Sequence, residues 1–157
     1  MKRHIPNTIT CLNLVCGCLA ILASLNGALV TAAYLVIAAA IFDFFDGFAA
    51  RLLKVSSPIG KELDSLADMV TFGVVPGMII LRYLADNAGI SEIGLESLKA
   101  NPTLLVALLI PVFSALRLAK FNIDERQATG FRGLPTPATA LWIISVPLMV
   151  EFMPFHM

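Results

Sequence analysis

The sequence predicts an all-α integral membrane protein, built as a polytopic bundle of about five transmembrane helices. Of its 157 residues, 58% are hydrophobic and only 14% are charged, and the mean hydropathy is +0.85. Soluble domains are roughly 45–50% apolar and 25% charged, so a lipid bilayer is the expected solvent. The net charge is zero, with 11 basic and 11 acidic residues, and this balance does not favour a nucleic-acid-binding protein.

Five apolar stretches are long enough to cross the hydrocarbon core, which takes about 20 residues of helix. They run from Thr8 to Leu25, Leu29 to Leu53, Leu66 to Leu84, Thr103 to Phe121 and Ala138 to Phe155. The first stretch follows basic residues, as in a secretory signal, but no small-residue cleavage site follows it, so we expect an uncleaved helix. Each of the last three contains a proline, at positions 76, 111 and 147, which membrane helices tolerate and which can kink them.

The distribution of Lys and Arg predicts a cytoplasmic N-terminus. With this orientation nine basic residues face the cytoplasm and two face the other side, which is a strong positive-inside bias. The nine are Lys2, Arg3, Arg51, Lys54, Lys61, Arg117, Lys120, Arg126 and Arg132, and the two are Arg82 and Lys99. Without an internal repeat or a low-complexity linker, residues 1–157 are expected to form one membrane domain.

Three cysteines, Cys11, Cys16 and Cys18, lie in the first apolar stretch. No second cluster of Cys and His completes a four-ligand zinc site with them. We therefore expect them to pack against other helices or to face lipid.

The second stretch contains two carboxylates that a membrane helix should avoid, Asp43 and Asp46. A charged residue at the centre of a membrane helix costs about 2.5–3.5 kcal/mol on insertion scales, and such residues are functional by default. Asp64 and Asp68, four residues apart at the start of the third stretch, repeat the pattern on one helix face. Two antiparallel helices joined by residues 54–60 would bring all four carboxylates to a common point, where they would repel one another unless cations were bound.

Oxygen-only ligands of this kind suit magnesium, manganese or calcium, and the lack of nearby His or Cys argues against zinc or copper. Two hard cations close together are a known device for displacement at phosphorus. Gly47 and Gly60 would let a ligand approach the backbone, and Arg51 offers a planar fork suited to phosphate. The residues alone leave alternatives open: a proton relay, a cation pathway, or structural pairing with Arg51, Lys54 and Lys61.

Read as a string, this region is Asp43-x2-Asp46-Gly47-x2-Ala50-Arg51-x8-Gly60-x3-Asp64-x3-Asp68. It resembles the signature of the CDP-alcohol phosphotransferases at all eight fixed positions and both long gaps. The resemblance implies a bundle of six or more membrane helices, usually homodimeric, in the cell (inner) membrane, with the active site facing the cytoplasm. This chain ends before a sixth helix, so we expect it to be truncated at its C-terminus.

The same resemblance assigns roles to the signature residues. It implies that Asp43, Asp46 and Asp64 bind metal, with two Mg²⁺ or Mn²⁺ ions per site, and that Asp68 is both a metal ligand and the general base. Gly47, Ala50 and Gly60 would line the cytidine site, and Arg51 would lie near the phosphates.

The acceptor is indicated by three other stretches. Each is similar to the bacterial and archaeal phosphatidylserine synthases of that family, which implies CDP-diacylglycerol and L-serine as substrates. They are Pro6-Asn7-Thr8-Ile9-Thr10-x2-Asn13-Leu14-x2-Gly17, Arg117-Leu118-Ala119-Lys120-Phe121-Asn122, and Phe131-Arg132-Gly133-Leu134-Pro135-Thr136-Pro137-Ala138. Glycerol 3-phosphate or an inositol phosphate remains an alternative acceptor, and a cation or proton transporter remains an alternative function.

Three further residues are predicted to bind substrate. Thr10 and Asn13 share a helix face and would hydrogen-bond the nucleotide, or alternatively join neighbouring helices. Arg117 would receive a serine carboxylate or a lipid phosphate, with ordinary headgroup anchoring as the alternative.

Overall fold

The computed structural model describes residues 4–55, 57–123 and 135–153, which form helices and turns without any β-strand. The helices are α1 (His4–Leu25), α2 (Leu29–Leu52), α3 (Pro58–Asn87), α4 (Leu95–Ala100), α5 (Pro102–Ile123) and α6 (Thr136–Phe152). Among them α1, α2, α3 and α5 are long and apolar enough to cross a membrane, and α6 is a shorter apolar helix. The predicted all-α membrane bundle is confirmed.

Helix α3 begins at Pro58, eight residues before the apolar stretch that predicted it. Ser57 caps the helix, because its hydroxyl accepts a hydrogen bond from the backbone N–H of Gly60 at 3.0 Å, and Pro58 occupies the first turn, where its missing N–H costs nothing. The first turns carry polar residues, so a search for apolar runs does not detect them. These polar turns carry Asp64, and Asp68 follows two residues after the predicted start at Leu66.

Pro76 is accommodated by a wide π-helical turn over Met69–Val74, in the middle of α3. The N–H of Val75 donates to the carbonyl of Val70, five residues back instead of four. This widening gives the proline ring room, since in a regular α-helix the ring would clash with the carbonyl four residues earlier. The wide turn begins directly after Asp68, so it also sets how the helix continues beyond the carboxylates.

The bundle packs around a stripe of small and polar residues on α1. Its buried members recur every three or four residues: Pro6, Thr10, Asn13, Gly17, Ala20 and Ser24. Small residues at helix contacts let membrane helices approach closely, and the main core contains alanines of α1, α2 and α6 around Phe72, Val75 and Ile79. Large apolar side chains such as Leu22, Phe113 and Trp142 are exposed, as expected for residues facing lipid.

The connection between α1 and α2 is a tight turn at Gly27, whose φ of 79° favours glycine. The two helices are therefore antiparallel. As a result the start of α1, the end of α2 and the start of α3 lie at one end of the bundle, which we call the signature end.

Several predicted features lie outside the described residues. They are the basic residues Lys2, Arg3, Arg126 and Arg132, positions 131–134 of the third stretch that indicated serine, and the predicted end of the fifth apolar stretch at Phe155.

Candidate metal and substrate site

The four aspartates of the signature lie at matching depths in α2 and α3. Asp43 lies nine residues before the end of α2 at Leu52, and Asp68 lies ten residues after the start of α3 at Pro58. These separations correspond to about 14–15 Å along the helix axes at 1.5 Å per residue. Asp46 and Asp64 are each six residues from the same ends, at about 9 Å. The carboxylates thus form a deeper pair and a shallower pair at the signature end.

Three of the aspartates meet. Asp43, Asp64 and Asp68 each offer a carboxylate oxygen, and these three oxygens lie within 4.8 Å of one another. All three residues are half-buried. Carboxylate oxygens at this spacing are a suitable donor set for a hard divalent cation, which would also offset the repulsion between the negative charges.

Asp46 lies beside this group and contacts Thr10. Asp46 is only 5% exposed, and its Oδ2 lies 2.6 Å from the hydroxyl of Thr10. The same hydroxyl is 3.1 Å from the carbonyl of Pro6, but it has one proton, and the charged and closer carboxylate is the stronger acceptor. Of the four carboxylates that we expected to share a point, three therefore lie within 4.8 Å of one another, and Asp46 lies in an adjacent wall.

That wall belongs to a cavity of about 230 Å³ at the signature end. Thr10, Gly47, Ala50 and Gly60, all predicted to bind substrate, contribute to its lining together with Asp46 and Asp64. A Cβ at Gly60 would lie 3.0 Å from Ser57 Oγ and 3.1 Å from Asn7 Oδ1, so this glycine is needed for close packing. A Cβ at Gly47 would meet only Arg51 at 3.7 Å, so the missing side chain there keeps the cavity open.

Other residues of this cavity were not predicted as substrate ligands. They are Pro6, Asn7, Val55, Ser57 and Lys61. Two of them carry a signal in the sequence: Ser57 precedes a proline, which is typical of a helix N-cap, and Lys61 lies three residues before Asp64, which places both on one face of α3. Lys61 is therefore the lysine that the structure brings to the cavity.

Two predicted cationic ligands have other contacts. The Arg51 side chain is exposed, and its Nε donates to the carbonyl of Gly47 at 3.0 Å. Arg117 donates to the hydroxyl of Thr136 and so connects α5 with α6. Neither contributes to the lining of the 230 Å³ cavity.

Asn13 contacts an aspartate from outside the cavity. It is fully buried, and its amide Nδ2 lies 3.5 Å from Oδ1 of Asp68. Thr10 and Asn13 therefore each face one signature aspartate, which is a position suited to supporting the carboxylates.

The cysteines of α1 are all free thiols. Cys11 and Cys18 are exposed on the outside of the bundle and Cys16 is partly buried, as expected for residues that face lipid or pack. Within the described residues, the possible metal ligands that cluster are the three aspartates alone.

Comparison with known proteins adds an independent line of information. The sequence model of the family described as CDP-alcohol phosphatidyltransferase matches residues 3–156. None of the solved structures matches the chain significantly.

Curated relatives match over about nine-tenths of the chain. The CDP-diacylglycerol–serine O-phosphatidyltransferase of Bacillus subtilis (strain 168) is 38% identical over 142 residues, which are 90% of this chain and 74% of the relative. The protein of the same name from Helicobacter pylori (strain J99 / ATCC 700824) is 36% identical over 92% of this chain and 57% of its own length. The archaetidylserine synthase of Methanothermobacter thermautotrophicus is 34% identical, over 90% of this chain and 56% of its own length.

Proposed function

The chain belongs to the CDP-alcohol phosphatidyltransferase family, and on that premise we propose that it transfers a phosphatidyl group from CDP-diacylglycerol to L-serine, giving phosphatidylserine and CMP. The observation that carries the choice of serine is the similarity, over about nine-tenths of the chain, to relatives named for transfer to serine. The chain spans 74% of the first of these relatives and little more than half of the others.

The 230 Å³ cavity is the proposed site for the nucleotide part of the donor. Pockets for whole drug-sized ligands have volumes of about 300–1,000 Å³, so this cavity suits a nucleoside-sized portion with the lipid tails outside it. The small side chains of Gly47, Ala50 and Gly60 leave room for a flat base. Lys61 supplies a positive charge from the same wall, and we propose that it contacts the donor phosphates.

The donor set of the site fits divalent metal, in agreement with a family that depends on it. We propose Mg²⁺ or Mn²⁺, two ions per site, held by Asp43, Asp46, Asp64 and Asp68. When bound, these cations would neutralise the diphosphate and stabilise the negative charge that develops on CMP.

Asp68 is the proposed general base. It is the deepest signature carboxylate of α3, and one of its oxygens faces Asn13. In the proposed step Asp68 accepts the proton of the serine hydroxyl, the hydroxyl oxygen forms a bond to the phosphatidyl phosphorus, and the bond from that phosphorus to the CMP oxygen breaks. This is a single in-line displacement, and trapping a phosphatidyl-enzyme would contradict it.

We also propose how the protein lies in the membrane: integral to the cell (inner) membrane, as a homodimer, with its N-terminus and signature end facing the cytoplasm. The distribution of Lys and Arg supports this orientation. Arg82 and Lys99 belong to the opposite end, whereas five described basic residues belong to the end of α2, the start of α3 and the end of α5: Arg51, Lys54, Lys61, Arg117 and Lys120. An excess of Lys and Arg on one side of a membrane protein favours the cytoplasm for that side.

Two competing functions predict different products. Transfer to glycerol 3-phosphate or an inositol phosphate would keep the same donor chemistry, and Arg117 would then receive a phosphate instead of the serine carboxylate. A transporter that used the aspartates for cations or protons would release no CMP. The small residues Gly47, Ala50 and Gly60 beside the carboxylates favour a nucleotide-binding enzyme over the transporter.

The deciding experiment measures CMP release from CDP-diacylglycerol by purified protein with Mn²⁺ or Mg²⁺. L-serine, glycerol 3-phosphate and inositol phosphate are compared as acceptors, and Asp68→Asn is the control variant. We expect release that depends on serine and falls at least 100-fold in the variant, since a positioned general base contributes about 10²–10⁴-fold. Release with a different acceptor would reassign the substrate, and no release with any acceptor from folded protein would refute the proposed function.

A further inference from the structure

Asn13 is fully buried where α1 crosses the middle of α3. Its backbone carbonyl accepts a hydrogen bond from the Thr71 hydroxyl at 3.3 Å, in the π-helical turn that follows Asp68. One turn further along α1, Gly17 lets Thr71 approach, because a Cβ at Gly17 would lie 2.5 Å from Thr71 Oγ1. The main chain of α1 is thus fixed against the segment that carries Asp68.

The two ends of the Asn13 side chain have unequal surroundings. The amide nitrogen faces Oδ1 of Asp68 at 3.5 Å, whereas the amide oxygen Oδ1 of Asn13 is buried without a hydrogen-bond partner. A buried acceptor without a partner has lost its hydrogen bonds to water without compensation, so such an atom in a native protein calls for an explanation. If Asn13 served packing alone, an apolar side chain of similar volume would avoid this cost.

The position of the amide next to the cation cluster supplies that explanation. Asp68 is one of the three aspartates whose oxygens lie within 4.8 Å of one another. Hard divalent cations keep part of their hydration shell in proteins, so a water molecule that enters with the cation is a suitable donor to the unpartnered oxygen. Hydrogen bonds to ligand carboxylates also fix which oxygen is presented to the metal.

We propose that Asn13 is a positioning residue for Asp68: its amide holds one carboxylate oxygen of Asp68 so that the other is presented to a divalent cation bound by the three aspartates. This role differs from contact with the nucleotide, which the sequence alone indicated for Asn13. The inference rests on the cation site of the proposed function, but it does not depend on which alcohol is the acceptor.

Mn²⁺ binding to the purified protein, without either substrate, tests this role through the electron paramagnetic resonance signal of free Mn²⁺. Asn13→Leu keeps the branched shape and the number of heavy atoms but removes the amide, and we expect it to weaken Mn²⁺ binding about 10–100-fold, the usual effect of losing a residue that orients a metal ligand. In the CMP-release assay the Mn²⁺ concentration for half-maximal rate should rise by the same factor, with kcat recovering at saturating Mn²⁺. Asn13→Ser, which is smaller and polar, is expected to show the same loss and serves if the leucine variant does not fold.

Ser24→Ala is the matched control. Ser24 is a fully buried polar residue of the same α1 stripe, its hydroxyl donates to the carbonyl of Ala20 at 2.7 Å, and it lies about 16 Å further along the helix from Asn13. This variant should bind Mn²⁺ like the unchanged protein. If the unchanged protein and both Asn13 variants bound Mn²⁺ with equal affinity, this inference alone would be overturned. If the unchanged protein bound no Mn²⁺, the cation site itself would be overturned.

Discussion

Replacing Thr10 by valine tests whether donor binding in the cavity depends on the hydrogen bond from Thr10 to Asp46. Thr10 and Asp46 are 4% and 5% exposed, and the hydroxyl lies 2.6 Å from the carboxylate. Valine preserves the shape of the side chain but removes the donor. Asp46 then loses the hydrogen bond that fixes its orientation at the cavity.

The size of the effect follows from the type of bond. A hydrogen bond to a charged group contributes about 1.5–3 kcal/mol, and each 1.4 kcal/mol is tenfold in an equilibrium constant. If the whole loss falls on binding of the donor, kcat/KM for CDP-diacylglycerol should fall roughly 10- to 150-fold. The CMP-release assay measures this at saturating Mn²⁺ and serine, below the temperature at which the variant unfolds.

Two variants of the same helix separate this bond from general effects of the substitution. Thr10→Ser retains the hydroxyl and should stay within a few-fold of the unchanged protein. Thr8→Val makes the same chemical change at an exposed threonine, whose hydroxyl donates to the carbonyl of His4, and should have little effect. If Thr10→Val were as active as Thr8→Val, the bond to Asp46 would have no role in donor binding and our account of this wall would be wrong.

Two further predictions concern packing and orientation. Gly17→Ala should destabilise the protein by about 1–3 kcal/mol, because its Cβ would lie 2.5 Å from Thr71 Oγ1. Thermal unfolding in detergent measures this loss, and Thr71→Ala in the same chain should restore most of it. Gly94→Ala is the control, because nothing lies within 4 Å of its Cβ, and equal stability of the Gly17→Ala and Gly94→Ala variants would contradict the packing. In intact cells, with the native cysteines replaced, a membrane-impermeant maleimide should label Glu92→Cys at the far end but not Glu62→Cys at the signature end. The reverse pattern would contradict a cytoplasmic N-terminus.

The sequence predicts the helices well where their character is uniformly apolar. The ends of α1 at Leu25 and of α2 at Leu52 agree with the predicted ends within one residue, because Gly27 and the polar residues after Leu53 interrupt the apolar runs. The predicted start of the third stretch, at Leu66, lies eight residues after the observed start of α3 at Pro58, because the first turns of α3 are polar on the face toward the site. A search for apolar runs identifies helix segments that face lipid, but it misses a helix segment that faces a polar cavity.

The site was predicted through spacing, and spacing has a limit. Steps of three and four residues place Asp43 with Asp46 on one helix face and Asp64 with Asp68 on another, and antiparallel pairing of the two helices predicted that all four meet. The same steps do not reveal that Thr10, from a different helix, donates a hydrogen bond to Asp46. Nor do they show that Lys61 lines the cavity while the Arg51 side chain bonds to the carbonyl of Gly47. Such contacts between helices depend on the rotation of each helix about its axis, which is set by packing.

The cation cluster and the nucleotide cavity are adjacent regions of the proposed site. Asp43, Asp64 and Asp68 form the cation cluster, and Asp46 lies with Thr10 in the wall of the nucleotide cavity. Asp64 is the signature aspartate common to both regions, since it offers an oxygen to the cluster and also lines the cavity. In the proposed reaction the diphosphate joins the nucleotide to the lipid, so it must lie where the two regions meet. The bond that breaks is therefore expected beside Asp64, with Asp68 deeper in the bundle on the side from which the alcohol attacks.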